Sequence, residues 1–122
     1  MSKQKLIAGN WKMNGSIAGN DALLRAVIAG MAGASCTVAV CVPAPYLAQL
    51  QVLRHGSALE LGAQDLSRHE HGAYTGEVSA SMLKEFGVRF CIVGHSERRQ
   101  WHGESDALVA DKAKVALAHG IT

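Results

Sequence analysis

The chain has 122 residues, 48% of them hydrophobic, and a formal net charge of +2 at pH 7. That length is enough for one compact domain with a hydrophobic core and too short for two. Lysine and arginine are scattered and aromatic residues make up only 5% of the chain, so nothing resembles the basic stripe or stacking platform of nucleic-acid-binding proteins. No apolar stretch approaches the roughly 18 residues that a membrane-spanning helix needs. We therefore expect neither a nucleic-acid partner nor a membrane partner.

The cysteines and the start of the chain predict a cytoplasmic protein. Cys36, Cys41 and Cys91 form no pairing pattern, and the last two lie in apolar runs where a free thiol behaves as a small core residue. We expect all three to be reduced and buried. Residues 1–5 are followed by an apolar run of only four residues, which is shorter than the apolar region of a secretory signal.

The first 42 residues alternate a strand pattern, a helix pattern and a second strand pattern. Residues 6–9 form an apolar run that ends at Asn10. Residues 17–30 have helical periodicity, and Ser16 is suited to cap that helix. Residues 37–42 are continuously apolar and β-branched, which is typical of a parallel strand covered on both faces. The residues expected to share the apolar face of the first helix are Leu23, Leu24, Val27 and Ile28.

The remainder continues the alternation. Its predicted elements, in order, are a helix begun by Pro45, a weak strand at 59–63, a polar loop at 64–79, a short helix at 79–86, a strand at 89–93, and a last helix capped by Ser105 and stopped by Gly120. The predicted order β-α-β-α-β-α-β-α implies a parallel sheet with right-handed crossovers. This pattern fits an open doubly wound sheet as well as half of a (β/α)8 barrel.

The end of the chain predicts an incomplete domain. After Gly120 only Ile121 and Thr122 follow, where the alternating pattern would begin its next strand. We therefore expect residues 1–122 to form a single domain that is truncated after its fourth βα unit. Such a sheet would have two open edges.

Polar residues follow three of the predicted strands. The carboxyl ends of parallel strands meet at one edge of the sheet, so these residues are expected to share a site. They are Asn10 and Lys12 after the first strand, Gln64 and Asp65 after the third, and His95, Ser96 and Glu97 after the fourth.

Three segments of the chain also occur together, in this order and spacing, in one known family. Gly9-Asn10-Trp11-Lys12-Met13-Asn14 is similar to the amino-terminal signature of the triosephosphate isomerase family. Gly72-Ala73-Tyr74-Thr75-Gly76-Glu77 is similar to the tip of its third loop, and Val93-Gly94-His95-Ser96-Glu97-Arg98-Arg99 resembles the segment that holds its catalytic histidine. The resemblance implies the first four βα units of a (β/α)8 TIM barrel. It also implies interconversion of dihydroxyacetone phosphate and glyceraldehyde 3-phosphate through an enediolate, a step of glycolysis and gluconeogenesis.

The resemblance assigns roles to five of these residues. Lys12 would offset the negative charge of the substrate phosphate and of the enediolate that develops in the transition state. Asn10 would be a neighbouring substrate contact. His95 would donate a hydrogen bond to the substrate carbonyl and move protons between its oxygens. Glu97 would pair with Lys12, and Ser96 would support His95.

In the same family the general base is a glutamate on the sixth loop, and most of the phosphate-binding backbone belongs to the seventh and eighth loops. Residues 1–122 do not reach these segments, so we expect this chain alone to be inactive. No cofactor and no metal is implied, because proton transfer next to a carbonyl needs only a positioned electrophile and base.

The family resemblance further implies a homodimer. Its third loop docks into a second subunit, which here corresponds to residues 64–79 with Thr75, Gly76 and Glu77 at the tip. Thr75 would reach the active site of the partner.

Two other functions compete with this one. The first is a non-catalytic half-barrel that associates with itself through its open edges. The second is a small hydrolase with Ser96 as nucleophile, because Gly94-His95-Ser96 resembles the start of a nucleophile elbow. Arg98 counts against the hydrolase, since that position of the elbow needs a small residue. His69-Glu70-His71 offers two metal ligands without a third and is expected to be a solvent-exposed polar run.

Overall fold

The computed structural model describes residues 3–122 as one parallel sheet flanked by helices. Its strands are β1 (Leu6–Asn10), β2 (Thr37–Val42), β3 (Glu60–Ala63) and β4 (Val88–Cys91). They lie side by side in chain order, each parallel to its neighbour. The helices are α1 (Ile17–Gly30), α2 (Leu47–Leu53), α3 (Ala80–Glu85), α4 (Ser96–His102) and α5 (Asp106–Ala118). The predicted alternation of parallel strands and helices is therefore confirmed.

The hydrophobic core lies between the sheet and these helices. The middle of the sheet supplies Val40, Val42 and Leu61, while leucines from three helices pack against it. Full burial of one such side chain contributes about 1.5–3 kcal/mol to folding. The helical leucines with almost no solvent exposure are Leu24, Leu47, Leu50 and Leu83. Leu23, which was predicted on the same face as Leu24, is instead about half exposed, at 49%.

Serine caps fix where the helices begin. The Ser16 hydroxyl accepts a hydrogen bond from Gly19 N at 3.0 Å, and the Ser105 hydroxyl accepts one from Leu108 N at 3.2 Å. Both caps were predicted and both are confirmed. Gly120, with φ of +72°, follows the end of α5 as predicted, because glycine accepts this left-handed conformation without strain.

The structure differs from the sequence-based predictions in four further respects. Pro45 lies in a separate 3-10 turn, Ala44–Tyr46, closed by a 3.0 Å hydrogen bond from Tyr46 N to Pro43 O, and α2 begins only after it. The last strand covers Val88–Cys91 rather than 89–93, and two helices rather than one follow it. Of the three free cysteines only Cys41 is buried, whereas Cys36 and Cys91 are half-buried.

The two edges of the sheet differ. Within residues 3–122 no strand pairs with the outer edge of β1, and Leu6 and Ile7 are 45% and 58% exposed. Beside β4, Thr122 N donates to Arg89 O at 3.0 Å and Thr122 O accepts from Cys91 N at 2.9 Å. This pair of bonds is the pattern that a residue of a neighbouring parallel strand would make.

Within residues 3–122 we find no helix with the length and apolar character to cross a membrane. The prediction about the start of the chain concerns residues 1–5, of which Met1 and Ser2 lie outside the described residues.

Candidate active site

The loop after β1 holds Lys12 in a strained backbone conformation. Its φ is +54°, and among residues 3–122 it is the one non-glycine residue with positive φ. A lysine in this region costs on the order of 1–3 kcal/mol, so the surrounding structure must hold it. Part of that support comes from Asn10, whose Oδ1 accepts a hydrogen bond from Lys12 N at 2.9 Å.

At the start of α4, His95 is the N-cap residue. Its Nδ1 accepts a hydrogen bond from Glu97 N at 3.1 Å. Accepting this bond requires Nδ1 to carry no proton, so the neutral ring has its proton on Nε2. His95 also lines the cavity described below, and in this tautomer it can offer a hydrogen bond through Nε2–H.

Glu97 joins the two loops. Its Oε1 accepts a hydrogen bond from Lys12 Nζ at 2.6 Å, across 85 residues of sequence, and its Oε2 lies 3.6 Å from His95 Nδ1. The hydrogen bond from Lys12 lowers the pKa of the Glu97 carboxyl, and the nearby charge of Lys12 adds to this effect. Lys12, His95 and Glu97 therefore form one cluster at the carboxyl edge of the sheet.

A glycine makes the turn from β4 into α4 possible. Gly94 has φ of +63°, and a Cβ atom there would lie 2.5 Å from Val109 Cγ1 on α5. Any other residue would be strained and would also collide with α5. Gly94 thus allows His95 to cap α4 directly above the end of β4.

These residues line an open cavity of about 710 Å³. Asn10, Lys12, His95 and Glu97 border it, and so do Met13, Gln64, Asp65, Gly76, Glu77, Arg98 and Trp101. The tip of the loop 64–79 and the candidate catalytic residues therefore face the same space.

Comparison with known proteins identifies the family. A family model described as triosephosphate isomerase matches residues 5–122. The chain belongs to the triosephosphate isomerase family. The triosephosphate isomerases of Albidiferax ferrireducens and Paracidovorax citrulli are 65% and 66% identical to it over 120 and 125 residues. A crystal structure of triosephosphate isomerase from Bartonella henselae has a TM-score of 0.92 and 41% identity over 98% of this chain.

The chain spans about half the length of the relatives that it matches. The matched region covers 49% of the Albidiferax ferrireducens triosephosphate isomerase and 50% of the Bartonella henselae chain. Its fold is accordingly half of a TIM barrel, which confirms the expected fold class and leaves the open doubly wound sheet unsupported.

Beside the cavity of this triosephosphate isomerase family member lies a group of four charged residues, here called the buried charge cluster: Asp65, Arg98, Glu104 and Lys112. Their pairing was not predicted from the sequence. Lys112 Nζ donates to Asp65 Oδ1 at 2.8 Å and to Glu104 Oε2 at 2.9 Å. Arg98 Nε donates to the same Glu104 oxygen at 2.6 Å. The Lys112 and Glu104 side chains are only 4% and 2% exposed. The cluster joins the loop after β3 to α4 and α5.

At Glu104 the effect of burial on the pKa of the carboxyl is outweighed by the hydrogen bonds of the cluster. Burial alone would raise the pKa of its carboxyl, but hydrogen bonds from Lys112 and Arg98 outweigh this and lower the pKa. Its Oε1 has no hydrogen-bond partner within the described part of the chain. The sequence held one signal for this cluster, namely a lysine at position 112 on the same face of α5 as Leu108 and Val115.

The tip of the loop 64–79 is a tight turn. Glu77 N donates to Tyr74 O at 3.0 Å, and Gly76 has φ of +91° at the third position of this turn, which glycine accepts without strain. Thr75 is exposed.

The remaining candidates lie apart from this chemistry. Ser96 is exposed in the first turn of α4, and no hydrogen bond joins its hydroxyl to a histidine in the described region, so no nucleophile–base pair supports a hydrolase. His69 stacks on Tyr74 with ring centroids 3.7 Å apart, and Glu70 Oε2 lies 3.2 Å from His119 Nε2. Between positions 3 and 122 no three metal-binding side chains cluster together.

Proposed function

We propose that residues 1–122 carry the electrophilic half of a triosephosphate isomerase site. The intact protein would interconvert dihydroxyacetone phosphate and glyceraldehyde 3-phosphate, with triose phosphate as its substrate. The observation that carries the proposal is the meeting of Lys12, Glu97 and His95 at the carboxyl edge of the sheet, within one cavity.

Lys12 supplies positive charge where negative charge develops. Its ammonium group lines the cavity and is half exposed, so an incoming phosphate or enediolate oxygen can approach it. A positioned charge of this kind stabilises the enediolate oxygen, which is negative in the transition state, more than the neutral carbonyl oxygen of the bound substrate. Asn10 lies beside it as a second polar contact, while its Oδ1 holds the Lys12 backbone.

His95 acts as the hydrogen-bond donor to the substrate carbonyl. Because Nδ1 is occupied by Glu97 N–H, the proton on Nε2 is the one available to the substrate. Donation to the carbonyl oxygen favours removal of a proton from the adjacent carbon and formation of the enediolate. The same nitrogen then moves a proton between the two substrate oxygens. The family resemblance assigns Ser96 a supporting role for His95, but no hydrogen bond joins the two side chains in the described residues.

The general base lies outside these residues. Glu97 is the carboxylate beside Lys12, but the hydrogen bond from that lysine lowers its pKa and makes it a weak base. Asp65 is committed to the buried charge cluster through its bonds with Lys112 and Arg98. We therefore propose that the chain of 122 residues does not turn over triose phosphate by itself.

The first test compares this chain with a chimera. The chimera joins residues 1–122 to the remaining half of the Paracidovorax citrulli relative, and both proteins are verified by mass before triose phosphate interconversion is assayed. We expect activity in the chimera and none above the buffer control in the chain alone. Turnover by the chain alone at an enzyme-like rate would show that a base lies within residues 1–122.

We further propose that the intact protein is a homodimer held by the loop 64–79. Thr75 is exposed at the tip of a tight turn, and Met13 and Trp101 offer apolar contacts in the cavity. Replacing Thr75 by arginine in the chimera should yield monomers in analytical ultracentrifugation, whereas Gln51→Arg on the exposed side of α2 should leave the dimer intact. An unchanged dimer in the Thr75→Arg chimera would refute this role of the loop.

We place the protein in the cytoplasm, where this reaction of glycolysis takes place. The three free cysteines support a reducing compartment.

A further inference from the structure

The side-chain amide of Gln64, which follows β3, lies among three oxygen atoms at the ends of β1 and β2. Its Nε2 donates to Lys12 O at 2.8 Å and is within 3.2 Å of Cys41 O and 3.3 Å of Asn10 Oδ1. An amide nitrogen has only two hydrogens, and here both face acceptors. The shortest of the three contacts is the one to Lys12.

Both polar groups of the Lys12 backbone are therefore held by side chains. Asn10 Oδ1 accepts from its N–H, and Gln64 Nε2 donates to its carbonyl. The backbone between these two bonds has φ of +54°, a conformation that a lysine does not keep without support. A change of φ would swing the Cβ atom and the whole side chain to a different direction.

We propose that Gln64 is a positioning residue that holds the Lys12 backbone in its left-handed conformation and so keeps Lys12 Nζ beside Glu97. Its consequence for catalysis rests on the proposed function, because Lys12 is the cation that would meet the substrate. The geometric part does not depend on that function. A glutamine that only ties the strand ends together would affect stability and leave the Lys12–Glu97 pair unchanged.

The test follows the titration of the Glu97 carboxyl by 13C NMR in this chain. Gln64→Met keeps the length of the side chain and removes its donors. Lys12→Met gives the titration of Glu97 without its partner. Gln51→Met is the matched control, because Gln51 also donates its amide to a backbone carbonyl, that of Glu85 at 3.3 Å, far from the site.

We expect the midpoint of Glu97 to rise in Gln64→Met towards that in Lys12→Met, and to stay at the wild-type position in Gln51→Met. A wild-type midpoint in Gln64→Met would overturn the inference. The inference would also be overturned if Glu97 titrated with the same midpoint in the unsubstituted chain and in Lys12→Met, because the Lys12–Glu97 pair would then not exist in solution.

A second variant covers the case in which Gln64→Met does not fold by circular dichroism. Gln64→Asn keeps the amide but is one methylene shorter, which withdraws the amide from the Lys12 carbonyl. The titration midpoint of Glu97 is therefore expected to rise in this variant as well. Loss of the fold in both variants would also overturn the inference, since Gln64 would then be a general stability residue.

Kinetics of the chimera separate this inference from the proposed function. Gln64→Met should lower kcat/KM at least roughly tenfold, the effect expected when a catalytic group is misplaced. A chimera that is inactive before any substitution would count against the proposed function alone. The titration of Glu97 would still decide the role of Gln64.

Discussion

Replacement of Lys112 by methionine removes the ammonium group at the centre of the buried charge cluster. Methionine keeps the shape of the side chain, which is 4% exposed, but leaves Glu104 with a single cationic partner, Arg98. Breaking a buried ion pair by removing one partner typically costs about 3–5 kcal/mol, because the remaining charge stays buried. We expect a loss of about 3 kcal/mol in the free energy of unfolding, at the lower end, since Arg98 still neutralises part of the Glu104 charge.

The loss is measured by urea unfolding followed by circular dichroism. With a slope of about 1.5 kcal/mol per M, a loss of that size lowers the midpoint by about 2 M. Lys114→Met is the matched control, because it removes an exposed lysine from the same helix and should change stability by less than about 0.5 kcal/mol.

A double variant tests the mechanism itself. Lys112→Met combined with Glu104→Gln removes both charges and leaves Arg98 paired with Asp65 at 3.2 Å. Neutralising a buried pair on both sides costs less than removing one partner, so this variant should be more stable than Lys112→Met alone. Two results would contradict this account. One is a loss of stability in Lys112→Met no larger than that in Lys114→Met; the other is a loss in the double variant equal to the sum of the losses in Lys112→Met and Glu104→Gln.

Three further predictions concern other parts of the chain. The pKa of Glu104 is lowered from its ordinary value of 4.5, so the ionised carboxylate stabilises the fold above that pH, and this stability is lost as the pH falls below it. Urea unfolding at pH 3–6 should show this loss, and the loss should be smaller in Lys112→Met. Gly62→Ala should destabilise the chain by about 1–3 kcal/mol, because the new methyl group would collide with the Cys41 sulfur. Gly30→Ala is the control: a methyl group there would lie in open space, so this substitution should stabilise the chain by up to about 1 kcal/mol. Burial raises the pKa of Cys91 to about 12, so at pH 8 its alkylation should be far slower in the native chain than in urea; equal rates would contradict the burial.

The sequence predicted those parts of the fold that depend on local pattern. The β-branched run at residues 37–42 became β2, and Ser16 and Ser105 cap their helices, because both signals act over a few residues. The boundary between α4 and α5 escaped prediction, because residues 96–104 carry a strong charge pattern without apolar periodicity. Gly103, with φ of +64°, ends α4 and was not recognised as a stop.

The proximity of Lys12, His95 and Glu97 could be expected from the sequence, whereas the geometry of their contacts could not. The resemblance placed Lys12, His95 and Glu97 in one site, and the structure shows how their loops bring them together. Nothing in a lysine predicts a positive φ, since lysine disfavours it, so the strain at Lys12 and the contact with Gln64 could not be foreseen. Pairing between residues as distant as Asp65 and Lys112 depends on the packing of α5 and carries no local signal beyond a lysine on an apolar face.

The most direct test of the central claim is the effect of His95→Gln and Lys12→Met on the isomerase activity of the chimera. Each substitution should lower kcat/KM by about 10²–10⁴-fold, because each removes a group that acts on the developing charge or the carbonyl oxygen. Lys114→Met should leave the activity unchanged. If the chimera is active and either His95→Gln or Lys12→Met retains that activity, the site at the carboxyl edge of β1 and β4 does not carry the chemistry proposed for it.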